Sequence, residues 1–489
     1  MDNLKSKTGK AFGWELVGNY GGQISGFIIS IFLARLLDPE EFGLVGMSMV
    51  FISILKVFMD MGFASALIHN KDNTSITYSS IFYLNIFAGL MFTILIFFAA
   101  PLIGEFYENN IVTDLVRLLS ITFFIGSFNI VQGTILRKNL DFKSLTYRSL
   151  ISQLIGGLIA VIFAWIGYGV YALVIQQIVV ALINTVLLWK ISGWYPKLEF
   201  SWAEIKKLSG FSVYVFAAQS VNQIIRQSDT LIIGKVFSPA TLGFFSRANS
   251  LNSLINKNAI SSFQKVFFPA LSTIQNDDER FERVFLKVIN LVSGISIFLT
   301  GVFFLSGEEI IIGLFGEKWQ PSVVIFQIII IKGFTYPISA MIVNAFLAKG
   351  KSKENFHYGN IRKVLQITPF YFAFVYGFKE YLFATVGASL IAWVLNMFFV
   401  NHSLKISLRA QIKVVFPTLL FSSLLVFLIS LLFPPDGSLI MAILEVFIFS
   451  AGFLCFLWLI NSPLLLEAVY YLGIFKNRFF RKDNDKDKK

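Results

Sequence analysis

About fourteen apolar runs, most near twenty residues long, follow one another along this chain with only short polar breaks between them. They fall at approximately 12–37, 40–63, 79–102, 113–135, 148–166, 170–190, 208–237, 240–262, 284–306, 321–348, 359–378, 381–401, 413–433 and 438–461. An α-helix needs about 20 apolar residues to cross the hydrocarbon core. In lipid, every backbone amide must be satisfied within the protein, which leaves helices or closed barrels. These runs are continuous and do not alternate apolar with polar, so a β-barrel is excluded. Composition points the same way: 56% of residues are hydrophobic and 14% charged, against roughly 25% charged in soluble domains. The expected class is an all-α polytopic membrane protein.

The N-terminus, MDNLKSKTGKAFGWELV, is basic and has no small-residue cleavage site after a short apolar core, so a retained first helix is expected. Lys and Arg stay on the cytoplasmic side of a membrane. With the N-terminus inside, Lys5, Lys7 and Lys10, Arg137, Lys138 and Lys143, Lys349, Lys351 and Lys353, and the tail Lys476–Lys489 all fall in the cytoplasm. Of the 41 Lys and Arg, only Lys235, Lys318 and Lys379 fall on the opposite loops. That asymmetry implies an even number of spans and two cytoplasmic termini. The net charge of +12 is then a matter of topology, and nucleic acid is not an expected partner. The longest outer loop, near 306–320, has no room for a catalytic domain. Three histidines (His69, His357, His402) lack metal-ligand spacing, the single Cys455 has no partner for a disulfide, and no phosphate loop or triad motif occurs. No enzyme activity, cofactor or metal is expected.

The segment FLARLLDPEEFG (32–43) returns 200 residues later as IIGKVFSPATLG (232–243). Arg35 matches Lys235, Pro39 matches Pro239 and Gly43 matches Gly243; Trp14/Tyr214, Asn19/Gln219 and Gln23/Gln223 extend the register. Six helices separate the copies, and an even number restores orientation, so the repeats are parallel, related by an axis along the membrane normal. This organises the chain as a first six-helix lobe (1–200), a second (201–405), and an added helix pair with a basic tail (406–489). Each copy reads as a helix-turn-helix corner. Its proline starts the second helix of the lobe, its glycine is expected to let that helix pack closely on the first, and its cation sits near the water interface, where snorkelling suffices.

With the charges at the span ends counted as loop charges, seven cations remain inside the assigned spans: Arg35, Lys56, Arg117, Arg226, Arg247, Lys257 and Lys332. Charges at that depth are costly and usually face a cavity or a partner. Local partners are available to some of them. Lys56 and Asp60, Asp114 and Arg117, and Arg226 and Asp229 lie three or four residues apart, so each pair shares a helix face. Arg226 and Lys332 lie near mid-membrane, Arg247 higher, and Lys56 and Lys257 nearer the cytoplasm. Acids are fewer (Glu15, Asp60, Asp114, Asp229, Glu445), so an interior with excess positive charge favours an anionic substrate. Gln219, Asn222/Gln223, Arg226 and Asp229/Thr230 form a polar stripe at helical spacing. Glu15, Asn19 and Gln23 make a milder one on the first helix. Such stripes face a water-filled interior or serve as polar glue between helices.

GWELVGNYGGQ (13–23), LARLLDPEEFGLVGMSMVF (33–51) and MGFASALI (61–68) resemble the lipid-linked oligosaccharide flippases of the Wzx type, in the subgroup serving colanic and teichuronic acid-like polysaccharides. DTLIIGKVFSPATLGFFSRANSL (229–251) and FPAL (268–271) look like the same family's seventh and eighth helices; His69 departs from an expected glutamine. The resemblance implies the fold of the multidrug/oligosaccharidyl-lipid/polysaccharide (MOP) superfamily, with two six-helix bundles in a V around a cationic cavity. It implies transfer of undecaprenyl-diphosphate-linked sugar repeat units from the cytoplasmic to the outer leaflet of a bacterial cytoplasmic membrane. On this reading Arg226, Arg247 and Lys332 hold the diphosphate, since Arg suits phosphate through its fork. Lys56 and Lys257 attract it at the inner mouth, and Asp60 and Asp229 are the candidate ion or proton carriers. The expected partners are the lipid-linked oligosaccharide, membrane lipid and polysaccharide-assembly proteins, and the expected working unit is a monomer. The alternative is the same fold with other cargo: a peptidoglycan lipid precursor, or small molecules as in a multidrug antiporter.

Overall fold

Each apolar run is helical, and among the described residues there is no strand. The computed structural model describes residues 2–433 and 439–460, with the side chains of 2–7 and 256–266 outside the description. The basic tail expected at 476–489 and the side chain of Lys257 therefore lie outside the described residues. The chain divides into two compact units, residues 1–246 and 247–489.

The first unit holds α1 (Asp2–Leu36), α2 (Pro39–Asp60), α3 (Phe63–His69), α4 (Ser75–Tyr107), α5 (Asn110–Ser127), α6 (Ile130–Lys138), α7 (Phe142–Trp165), α8 (Val170–Ser192), α9 (Trp202–Val236) and the start of α10 (Pro239–Thr273). The second holds the rest of α10, then α11 (Asp278–Leu305), α12 (Gly307–Phe315), α13 (Pro321–Ile331), α14 (Thr335–Ala348), α15 (Ser352–Ile367), α16 (Pro369–Val375), α17 (Phe378–Phe399), α18 (Leu408–Leu432) and α19 (Leu439–Leu459). Among the described residues, eleven helical segments are long and apolar enough to cross a membrane. The three other expected spans, on α9, α10 and α15–α16, are helical but are not among those eleven. α15 carries polar residues of the site described below, and α9 carries the polar stripe.

The repeated corner is built alike in both copies. Asp38 precedes α2, and its backbone N–H donates to the Glu41 carboxylate at 2.7 Å, one arm of a capping box. Ser238 precedes α10, and its hydroxyl accepts from the Thr241 N–H at 3.2 Å. Pro39 and Pro239 begin the helices, where a missing N–H costs nothing. The glycines do something other than expected. A Cβ added to Gly43 would overlap the backbone carbonyl of Pro239, and one added to Gly243 would overlap that of Pro39. The close approach is thus between the two corners, α2 against α10, and not between the first and second helices of one lobe. The second cation is also accounted for: Lys235 Nζ donates to Glu108 Oε1 at 2.8 Å and lies 5.4 Å from the centre of the Phe106 ring.

Close packing elsewhere follows small residues. α1 lies on α7, and a Cβ at Gly18 would crowd Thr146 while one at Gly26 would overlap the Gln153 side chain. Thr146 meanwhile donates to the Trp14 carbonyl at 2.8 Å. In the second unit, Phe281, Phe285, Ile289, Phe346, Trp393, Val415 and Phe449 share one buried core. The final pair, α18 and α19, packs on α11, with the Phe449 ring filling the space a side chain at Gly301 would need.

Candidate functional site

Pro337 has no N–H to donate to the carbonyl of residue 333, and its ring crowds that carbonyl. The tenth expected span is accordingly broken just upstream, between α13 and α14, at Lys332–Phe334. The break is closed by tight turns: Gly333 N–H donates to the Ile330 carbonyl at 2.7 Å and Thr335 N–H to the Lys332 carbonyl at 3.0 Å. Lys332 lies eleven residues beyond Pro321, about 16 Å along the helix. Its Nζ donates to Thr385 Oγ1 on α17 at 3.3 Å.

Interrupted helices at corresponding positions of two repeats mark binding sites in transporters, and the first unit carries such a partner. The fourth expected span is broken between α5 and α6. There Asn129 Nδ2 donates to Thr185 Oγ1 on α8 at 3.0 Å, and Trp189 Nε1 donates to the Phe128 carbonyl at 2.8 Å. Thr185 and Thr385 are 200 positions apart, the same offset as the corner. The device is duplicated, but its residue at the break is a neutral amide in one unit and a cation in the other.

Lys332 opens onto a cavity of about 590 Å³ within the second unit, lined also by Asn252, Tyr336, Arg362, Lys363, Gln366 and Ser389 among others. Among the described residues, three that line it are cationic and none is acidic. Arg362 Nη1 donates to Asn396 Oδ1 at 3.0 Å, and Asn396 Nδ2 donates to Ser339 Oγ at 3.0 Å. Arg362 and Lys363 are absent from the residues expected above. The apolar run starts at 359, so both fall in its first turn, beside the cytoplasmic loop. The helix starts at Ser352, so Arg362 sits ten residues in, about 15 Å along it. Helical spacing continued upstream through SKENFHYGN was the signal available.

The other sequence-expected residues lie elsewhere. Arg226, Gln219 and Asn222 are on an exposed face of α9, while Ile205, Leu208, Ser212, Ile233 and Gly234 are its buried positions. Gln223, Asp229 and Thr230 of the same stripe are half-buried. Arg226 folds back along its own helix, its Nη2 donating to Gln223 Oε1 at 2.6 Å. Lys56 is exposed on α2. The expected pairing of Lys56 with Asp60 is not formed; Asp60 accepts the Ala64 N–H at 3.0 Å and so caps α3. Asp114 and Arg117 do pair, at 3.9 Å. Arg247 is not among the lining residues of the Lys332 cavity; its guanidinium lies over the rings of Phe315 and Trp319, at 5.9 and 5.8 Å. Those rings come from the short segment that follows α11.

Known proteins share this architecture. The inward closed form of the lipid II flippase MurJ superposes with a TM-score of 0.72 at 17% identity, over 94% of this chain and 99% of that one. An inward-facing multidrug resistance MATE transporter of the MOP superfamily gives 0.61 at 14% identity, over 78% and 94%. In sequence, the succinoglycan biosynthesis transport protein ExoT of Rhizobium meliloti (strain 1021) is 26% identical, covering 70% of this chain and 69% of its own. The lipopolysaccharide biosynthesis protein WzxC of Escherichia coli (strain K12) is 23% identical over 75% of each. Residues 32–324, more than half of the sequence and including both corners and the Pro321 end of the broken helix, match the polysaccharide biosynthesis protein family, and the chain belongs to that family.

Proposed function

We propose that this multi-pass membrane protein is a flippase that moves undecaprenyl-diphosphate-linked oligosaccharide repeat units from the cytoplasmic to the outer leaflet of a bacterial cytoplasmic membrane, for surface polysaccharide synthesis. The observation that carries the reading is the cavity of the second unit. Among the described residues it has three cations, no acidic lining residue and several neutral hydrogen-bonding groups, in a family of polysaccharide biosynthesis proteins. A diphosphate is the anionic part of such a lipid, and charged donors in a water-poor site bind it more strongly than in bulk water. Lys332, Arg362 and Lys363 are the proposed headgroup ligands. Arg226 and Arg247 are proposed further contacts, and Lys56 and Lys257 attract the headgroup on entry. Asp60 and Asp229 are the proposed ion or proton carriers. The protein works by alternating access as a monomer, with both termini in the cytoplasm.

A second reading is another diphosphate lipid, the peptidoglycan precursor. The similarity of fold to a lipid II flippase supports it. Reconstitution into vesicles separates the two. Labelled undecaprenyl-diphosphate oligosaccharide and a peptidoglycan lipid precursor are each followed for accessibility to an outside-only probe. Movement of the first that Lys332→Gln or Arg226→Ala slows is expected. Movement of the second alone replaces the cargo, and movement of neither, from correctly inserted protein, removes the flippase reading.

A further inference from the structure

A guanidinium inside a membrane protein is ordinarily balanced by a carboxylate, because an unbalanced charge there is costly. Arg362 is balanced differently. Nη1 donates to Asn396 Oδ1 at 3.0 Å, and Nη2 reaches Asn355 Oδ1 at 3.4 Å. Both acceptors are neutral amides. They fix the plane of the guanidinium without cancelling its charge. Asn396 is only 1% exposed, and its other end is also committed, Nδ2 donating to Ser339 Oγ at 3.0 Å. One linked chain of bonds thus crosses α15, α17 and α14, and the two bonds together set which way the Asn396 amide faces. Two neutral oxygens thus hold the Arg362 guanidinium and leave its charge for something that comes and goes.

We propose that Asn396 is a positioning residue: it aims Arg362 into the cavity and keeps the guanidinium unneutralised, so that an anionic phosphate group becomes its counter-ion. This rests on the reading of the cavity as the diphosphate site. Asn396→Asp isolates the point. The carboxylate has the shape of the amide and can accept from both Arg362 and the Ser339 hydroxyl, so the bonds survive while the charge is cancelled.

The probe is labelled undecaprenyl diphosphate, titrated against the full-length protein in nanodiscs, with unfolding temperature recorded for every variant. Wild-type binding weakened about tenfold or more in Asn396→Asp, the weight of one charge-assisted hydrogen bond, with the unfolding temperature kept, is the expected result. In an Arg362→Gln background Asn396→Ala has no further effect, since the two act through one contact. Wild-type affinity in Asn396→Asp, with Arg362→Gln weakened, overturns the positioning role and leaves the cavity reading standing. A full additional loss in the Arg362→Gln background also overturns it, because Asn396 then acts through packing. Affinity indifferent to both Arg362→Gln and Lys332→Gln overturns the cavity reading and this inference together. If Asn396→Asp fails to fold, Ser339→Ala frees the far end of the amide: about threefold weaker binding is expected, and no change counts against the role.

Discussion

Gly43 and Gly243 show how little a single side chain has to add to disturb a packed corner. Each faces backbone, which cannot swing aside as a flexible side chain can. Gly43→Ala is therefore expected to cost about 1–3 kcal/mol, read as a lowered unfolding temperature in detergent. Gly13→Ala, with nothing within 4 Å of the added atom, should leave that temperature unchanged; equal effects of the two would refute the account. The repeated cation is simpler in the second copy than its recurrence suggested. The Lys235 ammonium holds the exposed Glu108 carboxyl below its ordinary range, first by hydrogen bond and then by charge. A carboxyl depressed in the folded state stabilises it above the unfolded pKa, and that contribution is lost as pH falls through the folded value. Lys235→Ala should return the Glu108 titration to about 4.3, as followed by NMR of labelled glutamate. An unmoved titration would mean the ion pair does not form. Arg35/Lys235, Pro39/Pro239 and Gly43/Gly243 were all legible as matched residues. What the glycines touch was not, because that contact joins positions about two hundred residues apart.

Helix interruptions belong to the element scale. Pro337 marks the break that displays Lys332, and restoring a donor there should let the helix close. Pro337→Ala is expected to leave the unfolding temperature unchanged or raised while slowing vesicle transport about tenfold, the weight of one displaced charged contact. Transport at the wild-type rate would show that the break does not position Lys332. The apolar runs read well as helices because about twenty apolar residues leave few alternatives. Their ends read poorly wherever a helix continues past its apolar stretch into polar sequence. That happens in α15, where SKENFHYGN precedes Arg362, and it hides Arg362 and Lys363 from a reading of apolar runs. Paired charges misled as well. Lys56 and Asp60 have the spacing of an ion pair, but a short helix beginning at Phe63 needs a cap and Asp60 supplies it.

At the scale of the whole molecule, loop charge predicts an orientation for the chain, and the single cysteine makes that testable. With Cys455 replaced by serine, Lys318→Cys should react with a membrane-impermeant maleimide on intact cells and Lys197→Cys should not. The reverse pattern inverts the topology and places the basic loops outside. All-α membrane architecture was legible from composition and run length, and the duplication from a gap-free register. The division into units at 246 was not, because it depends on which neighbours α9 chooses, and those are α2, α3 and α4. The corner contact has the form of an isologous interface, in which one residue meets a second and the counterpart of the second meets the counterpart of the first. In a dimer of identical half-length chains a single glycine codon would serve both contacts. In one chain the two codons vary independently, and a side chain at either position closes its own gap while the other stays open.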